Sequence, residues 1–103
     1  MRFLVKVSLP VEQSNAAFKS GRFTQIVQSI VAEMKPEATY FGEDNGKRTA
    51  YIFCDIHDAS QLPVVAEPWF LALNASVEFH PVMTPADLAK AGPAIEQAVK
   101  KYS

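Results

Sequence analysis

Along the first nine residues, apolar and polar side chains alternate. Phe3, Val5, Val7 and Leu9 fall on one side of an extended chain, and Leu4, Lys6 and Ser8 on the other. A period of two marks a strand, because successive side chains point to opposite faces. The pattern predicts a strand over Arg2–Leu9, ended by Pro10, which cannot donate to a ladder. From Val11 to Lys35 the period becomes helical. Ser14 or Asn15 offers a cap for a first turn around Ala16-Ala17-Phe18. Ser20-Gly21 predicts a break, since glycine costs about 1 kcal/mol inside a helix. Beyond it Phe23, Ile26, Val27, Ile30, Val31 and Met34 recur at helical spacing, and Pro36 closes the segment.

Ala38–Glu43 and Arg48–Ile56 read as the strands of a hairpin around the turn Asp44-Asn45-Gly46-Lys47. In the second strand Ala50, Ile52, Cys54 and Ile56 alternate with Thr49, Tyr51, Phe53 and Asp55. Both sets are largely apolar, which places this strand inside a sheet covered on both faces. Asp58 or Ser60 then caps a helix whose apolar stripe is Leu62, Val65, Ala66, Trp69, Phe70 and Leu73. Pro63 suits a first turn, Pro68 predicts a kink or a split into two short helices, and Asn74 ends the segment. Val77-Glu78-Phe79-His80-Pro81 is the last strand. Thr84-Pro85-Ala86-Asp87 opens a final helix, which Gly92-Pro93 interrupts and whose apolar side continues through Ile95, Val99 and Tyr102. Lys100 and Lys101 suit its C-terminal end, where the helix dipole favours positive charge.

The order β-α-β-β-α-β with an extra C-terminal helix predicts an α+β, ferredoxin-like domain with a four-stranded antiparallel sheet. Right-handed crossovers put both main helices on one face, with strands one and three central and strands two and four at the edges. The opposite face carries Leu4, Tyr51, Phe53 and, in this reading, Phe41. It is too apolar to stay wet, so a homodimer through the open sheet face is expected.

Composition narrows the function classes. At 103 residues, with 49% hydrophobic and 20% charged positions, the chain is one ordinary globular domain. Ten basic against eleven acidic residues leave a formal charge of −1, so no basic field exists for nucleic acid. No apolar run approaches the ~20 residues of a membrane span. Lys6 within the first apolar run, and the lack of a small-residue cleavage site, argue against a signal peptide, and a cytoplasmic protein is expected. The single cysteine, Cys54, cannot form an internal disulfide, and no Cys/His spacing fits zinc. Neither a metal nor a cofactor is expected. No phosphate loop, nucleotide fingerprint or Ser-His-Asp order is present.

Met1-Arg2-Phe3-Leu4-Val5-Lys6-Val7, Tyr51-Ile52-Phe53-Cys54-Asp55-Ile56 and Val77-Glu78-Phe79-His80-Pro81-Val82 resemble strands of small dimeric α+β-barrel proteins. Within that group the chain is most similar to muconolactone-isomerase-like members and to uncharacterised stand-alone domains. The resemblance implies two sheets from two subunits face to face, with a small cavity between sheet and helices or at the interface. Such proteins include isomerases, cofactor-free monooxygenases and haem binders, and by that analogy His57 or His80 is a candidate haem ligand. No isomerase acid/base set carries over to a motif of this chain, and the Gly21 break and the helix after Pro81 are departures. Fold alone does not assign function.

The residues offer two candidate sites. If Val77 and Phe79 face the helices, Glu78 and His80 share the other face with Lys6, Tyr51 and Asp55. An acid and an imidazole beside a lysine suit acid/base work on a small organic substrate, with Glu78 and His80 as the catalytic pair. The same residues serve equally as ion pairs that stabilise a sheet or a dimer. The second candidate is Glu67-Pro68-Trp69-Phe70, where Trp69 could wall an apolar pocket or simply fill the core. Tyr40-Phe41 reads as a pocket wall or a dimer contact. His57 reads as a loop residue and Cys54 as inert core, with nothing near it to lower its pKa. Two functions follow: a dimer that binds a small, partly apolar molecule or serves a structural role, and a cofactor-independent isomerase or monooxygenase-type enzyme.

Overall fold

The computed structural model describes residues 1–103. Its order is β1 (Arg2–Ser8), α1 (Val11–Lys19), α2 (Phe23–Met34), β2 (Ala38–Asp44), β3 (Lys47–Asp55), α3 (Gln61–Leu73), β4 (Ser76–Pro81) and α4 (Pro85–Tyr102). The four strands form one antiparallel sheet in the order β2-β3-β1-β4. This is the ferredoxin-like βαββαβ arrangement with a C-terminal helix, and β1 and β3 are its central strands.

The alternation in the strands sets the core. Val5 and Val7 of β1 and Ala50, Ile52 and Cys54 of β3 are buried against Val27 and Ile30 of α2 and Trp69 and Leu73 of α3. The other sheet face is uncovered within the chain. Register places its residues in rows: Ala38, Phe53, Leu4 and His80 in one, and Tyr40, Tyr51, Lys6 and Glu78 in the next. Phe41 departs from expectation. It pairs with Ala50 and therefore sits on the helix side of the sheet, one residue out of phase with the open face.

Several local expectations are corrected. Neither Ser14 nor Asn15 caps α1, because the helix has already begun at Val11, with Pro10 at the N-cap. The buried Ser14 Oγ instead donates back to the carbonyls of Pro10 and Val11 at 3.0 and 3.2 Å. Ser60 sits at the N-cap of α3 with no capping bond from its side chain; Asp58 accepts from the Ser60 N–H at 2.9 Å. Gln61 Oε1 takes the N–H groups of His57 and Asp58, so this turn is held from inside the helix.

The prolines do not split their helices. α3 runs unbroken past Pro68, and α4 past Gly92-Pro93. Each proline frees the carbonyl four residues earlier, at Val64 and at Ala89. Both of those residues are exposed, on the solvent side of their helices. Gly21, at φ 76°, ends α1 and separates it from α2, as the Ser20-Gly21 pair predicts. The hairpin turn closes on Asn45 and Gly46, at φ 53° and 78°, the backbone of a two-residue primed turn.

α4 differs from the other helices. Its N-terminus is a full capping box: Thr84 Oγ1 accepts from the Asp87 N–H, and Asp87 Oδ2 accepts from the Thr84 N–H. Yet none of its residues is buried, and Ile95, Val99 and Tyr102 lie exposed rather than on the core. The molecule measures 59 × 27 × 20 Å with a radius of gyration of 17.3 Å. A compact chain of this length has about 13 Å. No helix is long and apolar enough to cross a membrane.

Candidate functional site

Register brings the ionisable residues of the open face into contact. Lys6, central on β1, has Glu78 as its neighbour on β4 and Tyr51 as its neighbour on β3. Its Nζ lies 2.7 Å from Asp44 Oδ2 and 3.8 Å from Glu78 Oε2. Glu78 Oε1 lies 3.1 Å from His80 Nε2. A polar track Asp44–Lys6–Glu78–His80 therefore crosses the sheet from β2 to β4. Lys6 is the shielded member, with its side chain 20% exposed, and the Asp44 hydrogen bond raises its pKa above the ordinary lysine value. Glu78 and His80 are 54% and 49% exposed and line none of the larger cavities.

The other predicted residues separate. Tyr51 leans over Gly42 and donates from its hydroxyl to the Glu43 carbonyl at 3.1 Å. Tyr40, its partner in register, is exposed. Asp55 does not join Lys6. It lies opposite Arg2, where the Met1 ammonium bonds it at 2.7 Å and holds its carboxyl below the usual range, while His57 stands 3.4 Å away. Cys54 is buried, and desolvation pushes its thiol up. No three His, Cys, Asp or Glu side chains converge as metal ligands would.

Trp69 belongs to a different place. It is fully buried and lines a cavity of about 190 Å³ between the sheet and α1, α2 and α3. Phe18, Phe23, Val27 and Phe41 supply apolar walls. Phe18 and Phe23 stack at 3.9 Å between ring centres across the Gly21 break, so the break in the helix builds one wall. Arg48 lies at the edge of the same cavity, its guanidinium carbon 4.8 Å from the Phe18 ring centre. Its Nη1 donates to Ser14 Oγ at 2.6 Å and to Asn15 Oδ1 at 2.9 Å. The Nε1–H of Trp69 is buried and finds no acceptor among the protein groups. A wider groove of about 590 Å³ between α2 and α3 is open to solvent.

Sequence reasoning identified Trp69 but missed Asp44, Arg48 and the stacked phenylalanines. Arg48 had a signal. It is in phase with Ala50, Ile52 and Cys54, so a cation falls on the buried face of a strand. Asp44 had none, because it reads as a turn residue and its reach to Lys6 depends on the diagonal of the sheet.

Comparison with protein-family models and with curated proteins finds no match to this chain.

Proposed function

We propose that this chain is a homodimeric module that binds a small, partly apolar molecule, and that it belongs with the dimeric α+β-barrel proteins its strands resemble. One observation carries the binding reading: a cavity of about 190 Å³ is walled by Phe18, Phe23, Phe41 and Trp69 and has the Arg48 guanidinium at its edge. A concave apolar site with one polar group at its edge is the common form of a small-molecule pocket. The volume is below the roughly 300–1,000 Å³ of drug-sized sites, which suits a molecule of one ring or a short branched chain.

Dimerisation is supported by surfaces the chain leaves uncovered. Leu4, Tyr51 and Phe53 are only half-buried on the open sheet face. The stripe Leu88, Ile95, Val99 and Tyr102 on the standing helix α4 is exposed along its length. Both are hydrophobic surfaces that a second copy would remove from water.

Trp69 is the only tryptophan of the chain, so its emission reports on the cavity directly. Titration with a neutral single-ring probe such as phenol is expected to give a saturable change in emission. No change up to millimolar probe, with the protein folded by circular dichroism, rejects the binding reading. Light scattering at micromolar concentration is expected to give twice the chain mass, and a monomer contradicts the dimer.

The second reading is a cofactor-independent isomerase or monooxygenase-type enzyme. It has the His80–Glu78 pair at 3.1 Å beside Lys6 in its favour, since sheet-to-sheet pairing would enclose that pair. Glu78→Gln and His80→Asn separate the two readings. Under the cavity reading both variants bind the probe as the parent does; a loss of binding in either moves the site to the sheet face.

A further inference from the structure

The cavity beside Trp69 has a charge on its wall that nothing in the chain neutralises. Arg48 enters none of the ion pairs of the chain. The nearest candidate by register is Glu43, directly opposite on β2. Its carboxylate turns instead to the hairpin, where Oε2 accepts from the Gly46 N–H at 3.0 Å. Ser14 and Asn15, which accept from Nη1, are both neutral. They fix the guanidinium without satisfying its charge. An arginine carries five N–H donors. The two on Nη1 are engaged, and the Nε and Nη2 edge makes no hydrogen bond to the protein. That edge is the planar fork that receives the two oxygens of a carboxylate.

Deepening the binding reading above, on which it rests, the geometry points to a small monocarboxylate with a compact apolar body as the occupant of this cavity, its carboxylate on the Nε/Nη2 edge of Arg48 and its body between Phe18, Phe23, Phe41 and Trp69. Each part of the ligand answers one observation. A single arginine neutralises one negative charge, whereas a phosphate dianion would bring a second charge into an apolar site with no partner. Two coplanar oxygens match the free fork. Aromatic walls and a volume of about 190 Å³ admit one ring and little more. Ser14 and Asn15 act as positioning residues, because they hold Nη1 and so fix the plane of the fork.

The test follows Trp69 emission during titration with phenylacetate, the neutral isostere phenylacetamide, and phenyl phosphate. Phenylacetate is expected to bind about tenfold to a hundredfold tighter than phenylacetamide, the range a charge-assisted hydrogen bond provides. In Arg48→Gln that preference is expected to disappear, the affinity ratio of phenylacetate to phenylacetamide falling to about one. Arg48→Lys, which keeps the charge but not the fork, is expected to recover only part of it. Equal binding of the acid and the amide by the unmodified protein overturns the carboxylate assignment and leaves the cavity reading standing. Tighter binding of phenyl phosphate than of phenylacetate overturns the monoanion assignment. Binding of none of the three probes overturns this inference and the cavity reading together. The acid–amide comparison needs no variant, so a poorly folded Arg48 variant does not decide the outcome.

Discussion

Lys6 on the central strand reaches Asp44 at the hairpin turn, with Nζ 2.7 Å from Oδ2. The two lie on strands that are not neighbours, β1 and β2, so the bond spans β3 and ties the hairpin to the middle of the sheet. Asp44, rather than Glu78, is the closer partner of Lys6, which leaves Glu78 with His80 as its own neighbour.

The Lys6–Asp44 bond has a defined pH window. The folded state raises the pKa of Lys6, chiefly through the hydrogen bond its ammonium donates to Asp44. Its stabilising contribution is therefore fully present below the unfolded lysine value of about 10.4 and is lost as pH rises through the higher folded value. Asp44→Asn is expected to be less stable than the parent at neutral pH, with the gap closing on the alkaline side. Urea melts at pH 7 and in steps above the unfolded lysine value of about 10.4 check this; a gap that does not narrow across those steps contradicts it.

Leu4 sits at the middle of the open face, between Phe53 and His80 in register, and is not part of the buried core. Leu4→Glu is therefore expected to weaken self-association by at least about tenfold while leaving the fold intact, since a desolvated unpaired charge costs well over 1.4 kcal/mol. Sedimentation over a concentration series reads the first effect and circular dichroism the second.

Trp69 is the largest fully buried side chain of the core. Trp69→Ala is expected to cost about 3–5 kcal/mol, from lost burial and a cavity that adds to the one already beside it. Urea denaturation followed by far-ultraviolet circular dichroism measures this; a cost below about 1 kcal/mol would show that Trp69 does not anchor α3 to the sheet.

The cap of α4 is expected to act locally. Thr84→Ala should cost the helix about 1 kcal/mol. Because α4 has no buried residue, the loss should appear as faster amide exchange over Ala86–Ala91 rather than as a lower global midpoint. Acid should do the same. The Thr84 N–H bond depresses the Asp87 pKa, so the cap is present above the unfolded value of about 3.9 and is lost as pH falls through the lower folded value. A global midpoint that falls with Thr84→Ala in the monomeric Leu4→Glu background would contradict a free-standing α4.

The fold was legible where a residue's role is set by its immediate neighbours in sequence. The strand alternation placed Val5, Val7, Ile52 and Cys54 inside, and Asn45-Gly46 placed the hairpin turn. Pro68 does not split α3 and Pro93 does not interrupt α4, because the cost of a helical proline depends on its surroundings, and exposure of Val64 and Ala89 is a tertiary fact. Phe41 misled because register in an edge strand rests on one-residue precision, and a slip of one inverts the face.

The candidate site was legible only in part. Glu78, His80 and Lys6 were placed on one face by period alone, and the sheet confirms that juxtaposition. Asp55 was placed there too, and faces the same way, but the Met1 ammonium takes it at the far end of the strand.

By itself the chain order determined a four-stranded antiparallel sheet with helices on one face, because alternation, helical spacing and turn residues are local properties that survive without knowledge of the rest. Only the tertiary structure decided where Arg48 and Trp69 lie relative to the cavity. Each lacks a partner: Arg48, at the edge of the cavity, has no carboxylate, and the indole N–H of Trp69, inside the core, has no acceptor. A missing partner is a statement about every group nearby in space, and Ser14, Phe18, Phe41 and Trp69 come together only once the strands and helices have packed.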